Sequence, residues 1–168
     1  MLIQALLDYG NVSQVAIHLR TVSLQQAVDR VLARLAEQIA IKKAEIEVRR
    51  PLPDVPADAR ILERVIDHLV DNALKFVAAG TAPSVRISAE TLESRVRLWV
   101  EDEGLGVEPE YQQRIFGAFE TLDPAGAYDG TGIGLAIVKQ GMERMGADAG
   151  VESEPGKGSR FWIGFAAA

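Results

Sequence analysis

The chain has 168 residues, 48% hydrophobic and 25% charged, with a formal net charge of −6, two His and no Cys. This is enough chain for one sizeable core, and its composition is that of a soluble domain. The acidic balance opposes a broad nucleic-acid surface, which needs clustered Lys and Arg, and the missing Cys excludes disulfides and Cys/His zinc sites. No apolar run approaches the roughly 20 residues of a membrane span. The chain is therefore expected in the cytoplasm, with any membrane attachment of a longer parent lying elsewhere.

In chain order, Leu2, Ile3, Leu6 and Leu7 make a short helical stripe ending near Gly10 and Asn11. Ser23 precedes a helix whose apolar face is Leu24, Val28, Val31, Leu32, Leu35 and Ile39. Residues 46–48 (IEV) read as a strand, and PLPDVP after them as a Pro-rich turn. Asp58 is placed to cap a helix with the stripe Ile61, Leu62, Val65, Ile66, Leu69, Val70 and Ala73. VRISAE and RVRLWVE alternate as an antiparallel pair around ETLES. A short helix around Glu110–Phe116, a loop from Thr121 to Gly132 and a helix from Ile133 to Met145 follow. ADAGVES and SRFWIGF flank the turn EPGKG as two last strands. The sum is an α/β chain with helices on one face of a mixed or antiparallel sheet.

Four stretches can carry chemistry. GTGIGLAIVK (130–139) has neither Walker nor Rossmann spacing. Its Gly132 and Gly134 either admit phosphate oxygens to free N–H groups at a helix start or only ease the entry into that helix. In VEDEGLG, Asp102 at a strand end can accept the exocyclic amine of adenine beside Gly104 and Gly106, or can simply face water. In DHLVDNALKF, helical spacing puts His68, Asn72, Lys75 and Phe76 on one side. An amide oxygen at Asn72 can ligate Mg²⁺ and Lys75 can approach a phosphate, while the plainer alternative is an interior Asn bridging backbone groups. GKGSRF is a hairpin turn or a second glycine wall.

Together, DHLVDNALKF, DEGLG, IFGAFE, GTGIGLAIVK and EPGKGSRF, in this order, resemble the catalytic ATP-binding domain of sensor histidine kinases over residues 20–165. LLDYGNV and YDGTGIGLAIVK are most similar to modules attached to phytochrome-type or PAS-linked receptors. The resemblance implies a two-layer α/β sandwich of the Bergerat type with a mixed sheet covered on one side. It implies Asn72 as the Mg²⁺ ligand, Lys75 as a phosphate contact and His68 as the catalytic-site residue beside them. Asp102 would meet the adenine amine above Gly104 and Gly106, and Phe116 and Phe119 would anchor a nucleotide lid. Thr131, Gly132, Gly134 and Leu135 would close on the phosphates, with Gly156, Gly158 and Ser159 as the far wall.

The resemblance further implies a protein-histidine kinase that transfers the γ-phosphoryl group of ATP to a histidine, for relay to the aspartate of a response-regulator receiver. Residues 1–19 would be the tail of a dimerisation and phosphoacceptor hairpin plus linker, residues 20–168 the catalytic domain, and the parent a homodimer with no nucleic-acid partner. ATP binding without autophosphorylation is expected of the chain alone. His18 lies too near Asn72 to be the acceptor and is expected in the linker or first strand. His68 replaces a usual Asn, and the segment from Thr121 to Asp129 holds no Lys or Arg. Arg114 and Lys139 are candidate substitute cations. These departures leave two alternatives, a degenerate nucleotide- or receiver-binding module and a related ATPase of the gyrase and Hsp90 group. The latter uses a Glu where this chain has His68.

Overall fold

The computed structural model describes residues 2–117 and 133–166, apart from the side chains of Leu2 and Ala5. Its main sheet is built from β2 (Glu45–Val48), β4 (Ser84–Leu92), β5 (Arg95–Asp102), β6 (Asp148–Glu154) and β7 (Gly158–Ala166) in the order β2-β4-β5-β7-β6. β2 runs parallel to β4 and the other pairs are antiparallel. This is the mixed sheet expected, with its helices on one face. Along β5, Val96, Leu98 and Val100 are buried, as are Phe161, Ile163 and Phe165 along β7. Side chains alternate across a strand, so both sets face one way and meet the helices.

The helix layer is α2 (Leu24–Arg34), α4 (Ala59–Lys75) and α5 (Gly134–Arg144). Ser23 caps α2 by accepting from the Gln26 N–H at 3.2 Å. Asp58 caps α4 by accepting from the N–H groups of Arg60 and Ile61, satisfying donors that have no partner within the helix. The stripe Ile61, Leu62, Val65, Ile66, Leu69, Val70, Ala73 and Leu74 is buried against sheet and neighbours. Burying each of the larger side chains stabilises by about 1.5–3 kcal/mol relative to exposure, which fixes the rotation of α4 and thus where its other face points.

Several elements differ from expectation. The stripe from Leu24 to Ile39 is two helices, because Leu35 leaves helical geometry between α2 and α3 (Ala36–Lys42). The Pro-rich turn contains β3 (Asp54–Ala57), which pairs antiparallel with β1 (Arg20–Ser23) in a separate two-stranded sheet. The first helix, α1 (Leu2–Gln14), runs through Gly10. The helix expected at Glu110–Phe116 is two 3-10 turns, Pro109–Tyr111 and Arg114–Phe116. His18 is exposed in the linker before β1, with its N–H donated to Asp58.

α1 is docked on α5. Val12, Ile133 and Ile137 form a small apolar cluster of their own, with Tyr9 packed on it. Arg144 donates from Nη1 to the carbonyls of Val12 and Val15, both at 2.6 Å. That places a cation at the C-terminal end of α1, where unpaired carbonyls attract positive charge. Arg64 of α4 pairs with Asp8. The opposite side of α1 leaves Ile3, Leu6 and Leu7 exposed.

Candidate functional site

Asp102 closes β5 on the helix-covered side of the sheet. Its Oδ1 accepts from the N–H of Gly104 at 2.9 Å and of Ser159 at 3.3 Å. Burial pushes the carboxyl up to about 6, against the pull of those two N–H groups. One oxygen is thus committed to backbone and the carboxyl is held in one orientation. Ser159 and Gly158 both sit against Asp102: the Ser159 N–H donates to its carboxyl, and a Cβ at Gly158 would stand 2.0 Å from its carbonyl oxygen.

The turn after Asp102 is wedged between two elements. The Leu105 N–H donates to the carbonyl of Phe76, at the end of α4, at 3.2 Å, and the Gly156 N–H donates to Leu105 O at 2.8 Å. A Cβ at Gly104 would lie 2.1 Å from Phe76 O, and Gly106, at φ +74°, would place one 2.0 Å from Glu154 O. Close approach of backbone therefore requires both glycines. Ser153 locks the far side, donating to Gly158 O at 2.8 Å, accepting from Val107 N at 2.7 Å and meeting Ser159 Oγ at 2.8 Å. Ser153 is a site-building residue that the motifs did not single out. Its position in β6, on the same side as Val151, was its only signal.

On α4, His68 faces the start of α5, where a Cβ at Gly134 would lie 3.3 Å from His68 Nδ1. Burial depresses its basicity below the usual imidazole value, so it is neutral at neutral pH. Asn72 is half-buried one turn on, and its side-chain amide bonds no other described residue. Lys75 makes an ion pair with Asp71 at 2.9 Å instead of projecting freely. Leu135 is half-buried beside Gly134, and Phe116 packs edge-on to Phe161 at 6.2 Å between ring centroids. Gly156, at φ +77°, has open space around it. Phe119, Thr131 and Gly132 lie outside the described residues.

Lys139, a candidate substitute cation, sits on α5. It is exposed, and five residues beyond Gly134 carry it about 140° around the helix from the side that touches His68. Arg114 lies over the Tyr111 ring at 5.5 Å. A groove of about 1070 Å³ runs past Asp102 and Ser159 on to Glu47, Arg86, Glu152 and Arg160, and it includes none of His68, Asn72, Lys75 or Gly134. The charged walls of that groove pair with one another, Arg160 with Glu101 and Glu152 and Arg86 with Glu47. The held carboxylate, the glycine turn and an amide with no partner among the described residues are borne instead by the end of β5, the Gly104 turn and α4, with Gly134 of α5 against His68.

This two-layer fold with a carboxylate, an Asn-bearing helix and a glycine-led helix start defines a class of nucleotide-binding domain. The chain belongs to the histidine kinase-, DNA gyrase B- and HSP90-like ATPase family, which matches residues 57–168. It is 37% identical over 162 residues to the phytochrome-like protein Cph1 of Synechocystis sp., covering 96% of this chain and 21% of that protein. It is 32% identical over 171 residues to the sensor histidine kinase GacS of Pseudomonas protegens, covering 96% of this chain and 19% of that one. Among solved structures, full-length ShkA in complex with AMPPNP superposes with a TM-score of 0.81 at 34% identity, covering 99% of this chain and 36% of that one. The chain thus spans about a fifth of the length of these curated relatives. No described helix is long and apolar enough to cross a membrane.

Proposed function

We propose that the chain binds Mg²⁺–ATP between α4 and α5 and, within a longer sensor histidine kinase, presents it to a histidine on a dimerisation hairpin. The observation that carries this is Asp102, fixed by Gly104 and Ser159 with its second oxygen left to receive an adenine amine. The Gly104 turn is pressed on Phe76 O and has no space for a side chain, which keeps the backbone beside Asp102 bare. The phosphates then extend along α4 toward Asn72, His68 and the start of α5, where N–H groups without intrahelical partners favour negative charge.

Asn72 fits a Mg²⁺ site as a neutral oxygen donor with no competing bond from the described residues. The metal would offset charge on the phosphate oxygens during transfer. Neutral His68 can donate or accept one hydrogen bond at the phosphates without adding charge. In the transfer, a histidine nitrogen lone pair forms the P–N bond as the bond from the γ-phosphorus to the β–γ bridging oxygen breaks, and ADP leaves. This chain's contribution is orientation and fixed dipoles, while the acceptor imidazole comes from the hairpin. The exposed Ile3, Leu6 and Leu7 support reading residues 1–19 as the end of that hairpin and its linker, and the parent as a homodimer. Relay to a response-regulator receiver follows from the same class, and the cytoplasm supplies both ATP and receiver.

Calorimetric titration with Mg²⁺–ATP tests the reading. The expected result is binding that needs Mg²⁺ and weakens roughly 10- to 100-fold in Asp102→Ala, as loss of a hydrogen bond to a charged group requires, with Asn72→Ala removing the metal dependence. Absence of binding at millimolar nucleotide would overturn it in favour of a degenerate module that holds a receiver.

A further inference from the structure

Lys75 is the basic residue in the last turn of α4. On a helix its neighbours one turn back are Asn72, at i−3, and Asp71, at i−4, and they flank it on opposite sides. A Lys75 side chain lying toward Asn72 enters the space assigned above to phosphates. One lying toward Asp71 leaves it. The structure takes the second arrangement: Lys75 Nζ is 2.9 Å from Asp71 Oδ2, with both side chains under one-third exposed at 28% and 29%. Asp71 is itself held from another element, because Gln38 Nε2 of α3 donates to its Oδ1 at 3.1 Å. Lys42, also of α3, donates to the Leu74 carbonyl at 3.0 Å, so α3 grips this end of α4 at two points.

We propose that Asp71 is a positioning residue that competes with the nucleotide: anchored by Gln38, it draws Lys75 off the phosphate side of α4, so a triphosphate must exchange the Asp71 carboxylate for its own oxygens. The proposal rests on the nucleotide reading above. The competition counts for more in this chain than it would beside a basic lid, because residues 118–132 contain no Lys or Arg. Asp71 opposes phosphate binding in two ways, by occupying an ammonium and by adding a negative charge one turn from Asn72. Both effects grow with the number of phosphate charges. The Asp71–Lys75 pair therefore sets how strongly the site favours a triphosphate over a diphosphate.

The test is calorimetry of Mg²⁺–ATP and Mg²⁺–ADP on the wild-type chain, Asp71→Asn, Lys75→Met and the double variant, at two ionic strengths. Asp71→Asn is nearly isosteric, and Asp71→Ala serves as a second variant at this part-exposed helical position. The expected result is ATP binding tightened roughly two- to fivefold in Asp71→Asn, the range for breaking a partly exposed ion pair, with a smaller gain for ADP and a gain that shrinks at high salt. With Lys75→Met in place, the gain from Asp71→Asn should shrink to the part owed to the carboxylate's own charge, and that remainder should vanish at high salt. Gln38→Ala, which leaves α4 unsubstituted and removes only the hydrogen bond that anchors Asp71, should move ATP binding the same way by less. A merely structural Asp71 would lower the melting temperature and leave the ATP-to-ADP ratio unchanged. An unchanged or weakened affinity for ATP in both Asp71 variants, with the wild type binding normally, overturns this inference alone. A wild type that binds no nucleotide overturns the functional reading and this inference with it.

Discussion

Asp102 and His68 respond to pH with opposite sign, and the pair can be separated. Burial lifts the Asp102 carboxyl from an ordinary 3.8 to about 6. Between those values the folded chain keeps a proton that the unfolded chain has released, so this group makes stability fall as pH rises through the window and is constant above it. The amount is on the order of 2–3 kcal/mol at full ionisation. His68 is depressed below its ordinary 6.5 by the same cause acting on a base. Its unfolded imidazole protonates first on acidification, so its contribution is present above about 6.5 and is lost as pH falls. Melting curves of Asp102→Asn should therefore show a steeper loss of stability on acidification from pH 6.5 to 4 than the wild type, and those of His68→Asn a shallower one. Nucleotide binding adds a further sign. An adenine amine favours the carboxylate, so the affinity advantage of wild type over Asp102→Asn should decline as pH drops through about 6. Taking that ratio cancels the titration of the nucleotide's own phosphates. A ratio flat from pH 5 to 8 would place the adenine elsewhere.

Among the elements, α1 is the one whose attachment can be loosened without entering the main core. Val12, Ile133 and Ile137 form a cluster apart from the larger one under the sheet, and Arg144 ties the last carbonyls of α1 to α5. Val12→Ala removes buried methyl groups from the α1 side alone and should cost about 1–3 kcal/mol. The loss should appear in hydrogen exchange as faster opening of α1 and of the first turn of α5, with the amides of β5 and β7 unchanged. Uniform acceleration throughout the sheet would mean that α1 belongs to the same cooperative unit. Little of this was legible in sequence. The stripe of Leu2, Ile3, Leu6 and Leu7 marks a helix, yet three of those side chains face solvent, and the docking residues Val12 and Arg144 lie outside it. β3 was hidden for a related reason. DVPA carries two turn-like residues, and what makes it a strand is pairing with Arg20–Ser23, a partner far away in the chain. The helices α2 and α4 were readable because a 3.6-residue stripe and a capping side chain are both local, and α5, which no side chain caps, from its stripe alone. So were the placements of Asp102 at a strand end, Asn72 on a helix and Gly104 and Gly106 in a tight turn. The hold of Asp71 on Lys75 was not, since i−3 and i−4 partners are equally close on paper and Gln38 decides between them from another helix.

At the scale of the whole molecule, the sheet has two unlike faces and only one is committed to helices. The other is closed by its own side chains: Arg160 lies over Trp99 at 4.1 Å and Arg97 over Trp162 at 4.0 Å, while the Trp162 ring fills the space above Gly150. Trp99 is consequently only 5% exposed on a face over which the described residues build no second layer. On the helix-covered side, α1 is docked on α5, with Ile3, Leu6 and Leu7 exposed. An acceptor helix continuous with α1 would be tethered near the γ-phosphate, and tethering converts an encounter between molecules into one at millimolar effective concentration. Supplied separately, a hairpin fragment carrying the acceptor histidine should still be phosphorylated by this chain with Mg²⁺–ATP, but at a rate that climbs in proportion to hairpin concentration through the micromolar range without saturating. The chain alone should take up no label, and Asn72→Ala should abolish transfer to the hairpin. Label on His18 in the isolated chain would contradict this, since its exposed linker position sets it beyond the helix that would carry the acceptor. Transfer that saturates at low micromolar hairpin would show instead that this chain binds the hairpin on its own, and that α1 is not needed to bring the two together.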